Sequence, residues 1–252
     1  MKKLESIVYA KRDGLDLCLD LYLPDTDNFD LFVYFHGGGL EKGSRNDSTV
    51  KLIAPYLTQK GIAVASLDYR VYPDFAYPDF LRDAAEGVCW LSNNINNYGK
   101  CERIFVGGSS AGGYISMMLC YDARWYTEAG TLPVPVVGYL HDSGQPTCHY
   151  NVLKYRGIDS RRVMIDDSAP LYHRGTSPEY PPQMFLVADD DMKNRDEQTM
   201  LVLSTLRHFG YDESKISYRL MHGKHCAHGK QVDENGESVL GKIIFDFIST
   251  VK

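Results

Sequence analysis

The chain has 252 residues, of which 44% are hydrophobic and 24% charged, an ordinary globular composition that can bury a large core without disulfides or metal. Its formal net charge of −6 argues against a protein that neutralises phosphates with a basic face, so we expect no nucleic-acid partner. The N-terminal segment lacks the apolar stretch of a signal peptide, and no later segment approaches the ~18 apolar residues of a membrane span. The sequence therefore predicts a cytoplasmic protein with no membrane partner.

Strand-like and helix-like patterns alternate along the chain. The alternating leucines of residues 15–23 predict an edge-region strand with one face in water. Five later runs are short and continuously apolar, as in strands covered on both faces; they are 31–35, 62–67, 103–108, 136–140 and 183–188. Helices are predicted over 81–95, 196–209 and 240–251. This order predicts an α/β fold with a mostly parallel central sheet and helices on both faces, and with ligands beyond the carboxyl ends of the strands.

Residues 142–182 interrupt this alternation. They contain many turn formers and several aromatic and basic residues, and the segment is long for a simple connection. We interpret it as a small lid-like insertion after strand 6, above the active site. No repeat, low-complexity tract or linker indicates a domain boundary, so residues 1–252 are expected to form a single domain.

A G-x-S-x-G motif, Gly108 to Gly112, follows a predicted strand and precedes a helix-compatible run. A sharp strand-to-helix turn needs small residues beside the serine, and it presents the hydroxyl of Ser110 at a helix N-terminus. The alternatives are a glycine-rich turn without chemistry and a phosphate-binding loop of the dinucleotide type. The strand-turn-helix context favours Ser110 as a nucleophile.

Three glycines follow His36 directly after the apolar run 31–35. Because no side chain obstructs their N–H groups, these glycines can turn toward an oxyanion. The expected donors are Gly37 or Gly38 together with Ala111, the residue after the nucleophile. We expect His36 itself to have a structural role.

A serine nucleophile needs a histidine that accepts its proton and a carboxylate that orients the histidine. Both are expected after Ser110. The candidate acids are Asp189, Asp190 and Asp191, and the candidate bases are His222, His225 and His228. The histidine spacing also allows a metal site, but zinc on such a loop normally needs ligands from other elements, so we expect no metal and no cofactor.

In combination, these motifs resemble the hormone-sensitive-lipase-like branch of the α/β-hydrolases and the bacterial acetyl esterases near it. The motifs are HGGG at 36–39, Asp68-Tyr69-Arg70 followed by Tyr72-Pro73, and GGSSAGG at 107–113. The resemblance covers nearly the whole chain and implies the α/β-hydrolase fold. The family's G-x-x-D turn matches residues 188–191, with alanine in place of glycine, which selects Asp191 as the acid and leaves Asp190 as the alternative. The family's histidine matches His225.

The resemblance implies a serine carboxylesterase that hydrolyses short-chain acyl esters through an acyl-enzyme, with acetylated sugars among the candidate substrates. Lipases of that branch commonly carry an N-terminal helical cap, for which this sequence has no equivalent, so any cover must come from 142–182. The expected partner is a small-molecule ester, and homo-oligomerisation stays open. The alternatives are an amidase or peptidase of the same fold and a non-catalytic binding protein.

Overall fold

A computed structural model of the chain describes residues 1–130, 136–175, 177 and 179–251. Within these residues, eight strands form one sheet in the order β1-β2-β4-β3-β5-β6-β7-β8. Their bounds are β1 Lys2–Arg12, β2 Leu15–Leu23, β3 Asn28–Phe35, β4 Ile62–Leu67, β5 Lys100–Ser109, β6 Val136–Asp142, β7 Gln183–Asp190 and β8 Ile216–Lys224. β2 runs antiparallel to β1 and β4, and every other neighbouring pair is parallel. The predicted mostly parallel sheet is confirmed.

Helices cover both faces of this sheet, as predicted. They are α1 Val50–Gln59, α2 Asp79–Asn94, α3 Ala111–Tyr121, α4 Arg124–Glu128, α5 Tyr150–Tyr155, α6 Arg195–His208 and α7 Val239–Thr250. Alternate side chains of β3 point to opposite faces of the sheet and join two separate hydrophobic clusters. Val33 and Phe35 pack in a cluster with residues of α2 and α3, whereas Phe32 and Tyr34 pack with residues of α1 and α7. None of the helices in the described part of the chain is both long and apolar enough to cross a membrane.

The antiparallel end of the sheet differs from the sequence prediction. β1, which was not predicted from the sequence, is the edge strand, and β2 lies between β1 and β4. Asp20 of β2 was predicted to face water but is 1% exposed. Its carboxylate accepts hydrogen bonds from the Arg45 side chain at 2.8 Å and from the Ser6 backbone N–H at 3.0 Å. At Asp20 the alternation therefore reflects a buried ion pair rather than a wet face, whereas Asp16, earlier in β2, is exposed.

The segment 142–182, in which residues 176 and 178 lie outside the described part, contains α5 and a short 3₁₀ helix, Pro170–His173. Helix α5 lies against the loop that follows β3. The Asn151 side chain donates to the Gly39 carbonyl at 2.6 Å, and Lys154 pairs with Glu41 at 2.6 Å. This segment is therefore attached directly to the glycine loop.

Candidate active site

Ser110 occupies a strained turn between β5 and α3. Its backbone has φ 57° and ψ −111°, a combination rarely adopted by residues other than glycine, and its N–H donates to the Asp142 carbonyl at 2.7 Å. The turn packs closely on the end of β3. A Cβ atom at Gly108 would lie 2.5 Å, and one at Gly112 1.9 Å, from the Phe35 carbonyl oxygen, so both motif glycines are needed for this approach.

Three residues from separate parts of the chain form one hydrogen-bonded series. The loop after β8 carries His225, whose Nδ1 lies 2.5 Å from Asp191 Oδ1 and whose Nε2 lies 2.8 Å from Ser110 Oγ. Because a carboxylate only accepts, Nδ1 carries the proton and the opposite nitrogen, Nε2, accepts from the serine hydroxyl. The geometry thus leaves the histidine nitrogen ready to take the Ser110 proton.

Asp191 is held in place by more than the histidine. One carboxylate oxygen accepts from the Met192 N–H at 2.7 Å, and the other from the Ser143 hydroxyl at 2.9 Å and the Ala188 N–H at 3.1 Å. Burial raises the Asp191 pKa, but the hydrogen bond and charge of His225 and the backbone N–H groups outweigh it and lower the pKa to about 2. Asp191 is therefore ionised at neutral pH.

The other candidate acids and bases lie elsewhere. Asp189 pairs with His222 at 2.7 Å in an exposed position, and Asp190 is exposed and forms no hydrogen bond with any of the three histidines. His228 is buried and its Nε2 donates to Asp142 Oδ1 at 2.8 Å. No metal-binding group of His, Cys, Asp or Glu occurs in the described part of the chain. The three histidines therefore pair with three different carboxylates.

Sequence reasoning missed the role of Asp142. Its carboxylate, 0% exposed, accepts from His228 and, at 2.6 Å, from the Ser109 hydroxyl, while its carbonyl accepts from the Ser110 N–H. One residue thus joins the end of β6, the serine turn and the histidine loop. The position of Asp142, two residues beyond the central apolar run 136–140, was the available signal for a site residue, though not for its partner, because such strand ends carry site residues in open α/β sheets.

The predicted oxyanion donors lie beside Ser110. A Cβ atom at Gly37 would lie 3.4 Å from Ser110 Cβ, and Gly38 has φ +118°. No hydrogen bond among the described residues uses the N–H groups of Gly37, Gly38 or Ala111. His36 donates from Nδ1 to the Gly37 carbonyl at 2.7 Å and stacks on a tyrosine ring, which fits the expected structural role.

A cleft of about 660 Å³ opens over the series. Its wall combines the glycine loop and Ser110 with Tyr150 of α5 and Met192, which follows Asp191. Several charged side chains also line it: Glu41, Lys42, Asp47 and Lys230. The cleft therefore combines apolar and charged groups, and a small ester carbonyl can approach the hydroxyl within it.

Half of the chain has recognisable sequence relatives. Residues 19–143 match the BD-FAE family. The probable isoprenylcysteine alpha-carbonyl methylesterase ICMEL1 of Oryza sativa is 37% identical over 115 residues, which are 44% of this chain and 26% of that protein. Carboxylesterase NlhH of Mycobacterium tuberculosis is 35% identical over 116 residues, again 44% of this chain and 36% of that protein. The matches thus span about a quarter to a third of these relatives.

Solved structures resemble the chain over almost its whole length. A thermophilic esterase from Thermogutta terrifontis with butyrate bound has a TM-score of 0.78 at 18% identity, covering 97% of this chain and 93% of that one. Esterase B from Lactobacillus rhamnosis also has a TM-score of 0.78, at 17% identity, covering 98% and 85%. With the sheet order, these likenesses show that the chain has the α/β-hydrolase fold.

Proposed function

We propose that this protein is a serine carboxylesterase, with Ser110 as nucleophile, His225 as general base and Asp191 as the carboxylate that orients the histidine. The observation that supports it best is the unbroken hydrogen-bonded series from Asp191 through His225 to the hydroxyl at the strained turn. Serine becomes nucleophilic only when such a base accepts its proton.

The reaction proceeds in two halves. Ser110 Oγ attacks the ester carbonyl carbon as His225 Nε2 takes the hydroxyl proton, and the negative charge on the carbonyl oxygen is stabilised by the N–H groups of Gly37, Gly38 and Ala111. The intermediate collapses, the alkoxide leaves with the proton from His225, and the acyl group stays on Ser110. A water molecule, deprotonated by the same histidine, then releases the acid and restores the enzyme.

The substrates we propose are esters with short acyl groups, acetylated sugars among them. The charged residues around the cleft support this, because a long alkyl chain beside them would have to displace their hydration. The structural neighbour from Thermogutta terrifontis was solved with butyrate and with propionate, which are both short acids.

The test combines covalent labelling with hydrolysis of p-nitrophenyl acetate. A fluorophosphonate probe should label the wild type and leave Ser110→Ala unlabelled, and Ser110→Ala and His225→Ala should each lose at least about 10³-fold in kcat/KM. Ser109→Ala is the matched control for the serine and His222→Ala for the histidine; both should remain active. Residual turnover above about 1% in Ser110→Ala would contradict the proposal.

A further inference from the structure

A second cleft, of about 590 Å³, adjoins the one over Ser110 and shares Tyr150 and Met192 with it. One side is formed by residues 160–163 of the insertion and the other by residues 193–195 at the start of α6. Because the two clefts share these two lining side chains, one molecule can place an ester over the serine and a second group in this cleft.

The second cleft contains a buried cation without an acidic partner. Arg195 is 3% exposed and lines the cleft. Its guanidinium donates to the Ser143 carbonyl and, at 3.5 Å, to the Gln145 side chain, and its Nε has no partner. Within the described residues, no carboxylate comes within 4.0 Å of it. Buried charges are ordinarily paired, and here burial lowers the Arg195 pKa, with the charge of Asp191 offsetting only part of that effect.

The remaining charges around this cleft have the same sign. Arg162 and Lys193 line it, are exposed and form no ion pair with any described residue, whereas Arg161 is paired with Asp159 at 2.6 Å. None of the described residues that line the cleft is acidic. The electric field therefore favours a negatively charged occupant.

We propose that this cleft binds an anionic group of the substrate, a carboxylate or a phosphate, with Arg195 as its principal partner and with Arg162 and Lys193 at the entrance. Guanidinium binds both groups through paired, charge-assisted hydrogen bonds. The proposal rests on the proposed esterase function and narrows its substrates to esters that carry an anionic group a few bonds from the scissile carbonyl.

Three ester pairs test this preference. On the acyl side, the p-nitrophenyl monoester of glutarate is compared with p-nitrophenyl 5-methylhexanoate, its neutral isostere. On the alcohol side, 4-acetoxybenzoate is compared with 4-acetoxybenzamide, and 4-acetoxyphenyl phosphate with the same amide. Each ratio of kcat/KM is divided by the ratio of the hydroxide rate constants, which removes differences in intrinsic reactivity.

We expect the wild type to favour the anionic ester of at least one pair by about tenfold or more at low ionic strength. In 0.5 M salt it should lose only the part due to the exposed Arg162 and Lys193, because the buried Arg195 is screened little. The pair that shows this preference identifies whether the anion lies on the acyl or the alcohol side of the ester, and whether it is a carboxylate or a phosphate. The Arg162→Ala/Lys193→Ala variant should reduce the ratio several-fold. The Lys60→Ala/Lys100→Ala variant removes the same charge from exposed positions at the opposite, amino-terminal edge of the sheet and should leave the ratio unchanged.

Binding to Ser110→Ala separates this proposal from the esterase proposal, because it needs no turnover. Calorimetry should show at least one of the three anionic esters bound more tightly than its neutral counterpart, and Arg195→Gln in the same background should remove most of that difference, with Arg195→Lys retaining part of it. If the kcat/KM ratios are near one in all three pairs, or if the two double variants lose the preference equally, the anion site is overturned. Hydrolysis of the neutral esters would still support the esterase. Absence of hydrolysis in the wild type, with normal discrimination in Ser110→Ala, would overturn the esterase alone.

Discussion

Two of the three histidines in and after β8, His222 and His228, hydrogen-bond to an aspartate in different surroundings. His228 lies 2.8 Å from Asp142, and the two side chains are 1% and 0% exposed; His222 lies 2.7 Å from Asp189, and these side chains are 94% and 39% exposed. Truncating each histidine to alanine therefore compares a buried and an exposed pair in one protein. We expect His228→Ala to be severely destabilising and His222→Ala to change stability little.

The expected loss of unfolding free energy in His228→Ala follows from the buried carboxylate that then lacks its histidine partner. The Asp142 carboxylate stays buried with the Ser109 hydroxyl as its remaining side-chain donor. Breaking a buried pair by removing one partner costs about 3–5 kcal/mol of the free energy of unfolding, a large share of the roughly 5–15 kcal/mol of a typical domain. Removing both charges in His228→Ala/Asp142→Ala should cost less than the sum of the single changes.

The loss should also depend on pH. Burial lowers the His228 pKa, but the charge and hydrogen bond of Asp142 outweigh it, so the pKa is raised in the folded protein. A raised pKa means that the charged pair contributes fully below the unfolded value of about 6.5 and that this contribution disappears as pH rises through the folded value. His228→Ala should therefore destabilise more at pH 6 than at pH 9.

Urea unfolding of the wild type and of four variants, His228→Ala, His222→Ala, Asp142→Ala and His228→Ala/Asp142→Ala, measures this directly at both pH values. Equal m-values check that unfolding stays comparable. A loss below about 1 kcal/mol for His228→Ala at pH 6 would refute the reasoning, since a buried carboxylate without its partner should cost more. Equal losses for His228→Ala and His222→Ala would refute it as well.

Two further predictions concern activity. Asp191→Asn should lower kcat/KM for p-nitrophenyl acetate at least about 10²-fold, because an amide cannot hold His225 as the proton acceptor for Ser110. Asp190→Asn, at an exposed site, should have little effect. The reverse ranking would assign the acid to Asp190. In a series of neutral p-nitrophenyl esters from acetate to decanoate, kcat/KM should peak at about two to four carbons, because the charged cleft gains little of the ~0.8 kcal/mol available per buried methylene. An optimum at octanoate or beyond would contradict this.

The sequence located those parts of the site that depend on local backbone chemistry. The turn at Ser110 and the glycine loop after β3 need residues without Cβ atoms at fixed positions, so their motifs are visible in the sequence itself. Asp191 and His225 could be selected only through the family resemblance, because neighbouring aspartates and histidines offered the same chemistry.

Contacts between distant segments were not predictable in this way. Asp20 alternates with leucines as a solvent-facing residue would, and its burial is favourable because Arg45, Lys3 and the Ser6 N–H lie next to it in space. The pairing of Asp142 with His228 joins residues 86 positions apart, and no local pattern signals it. Buried ion pairs of this kind are set by tertiary structure rather than by propensity or periodicity.

The attachment of α5 to the glycine loop has a consequence for how this protein can change. Asn151 holds the Gly39 carbonyl, and Tyr155 stacks on Tyr72 at 3.9 Å between ring centres, so the segment that shapes the entrance also braces the loop proposed to bind the oxyanion. A graft or deletion that reshapes the entrance would therefore alter the rate of the chemical step together with substrate choice. Engineering of specificity would have to retain these two contacts.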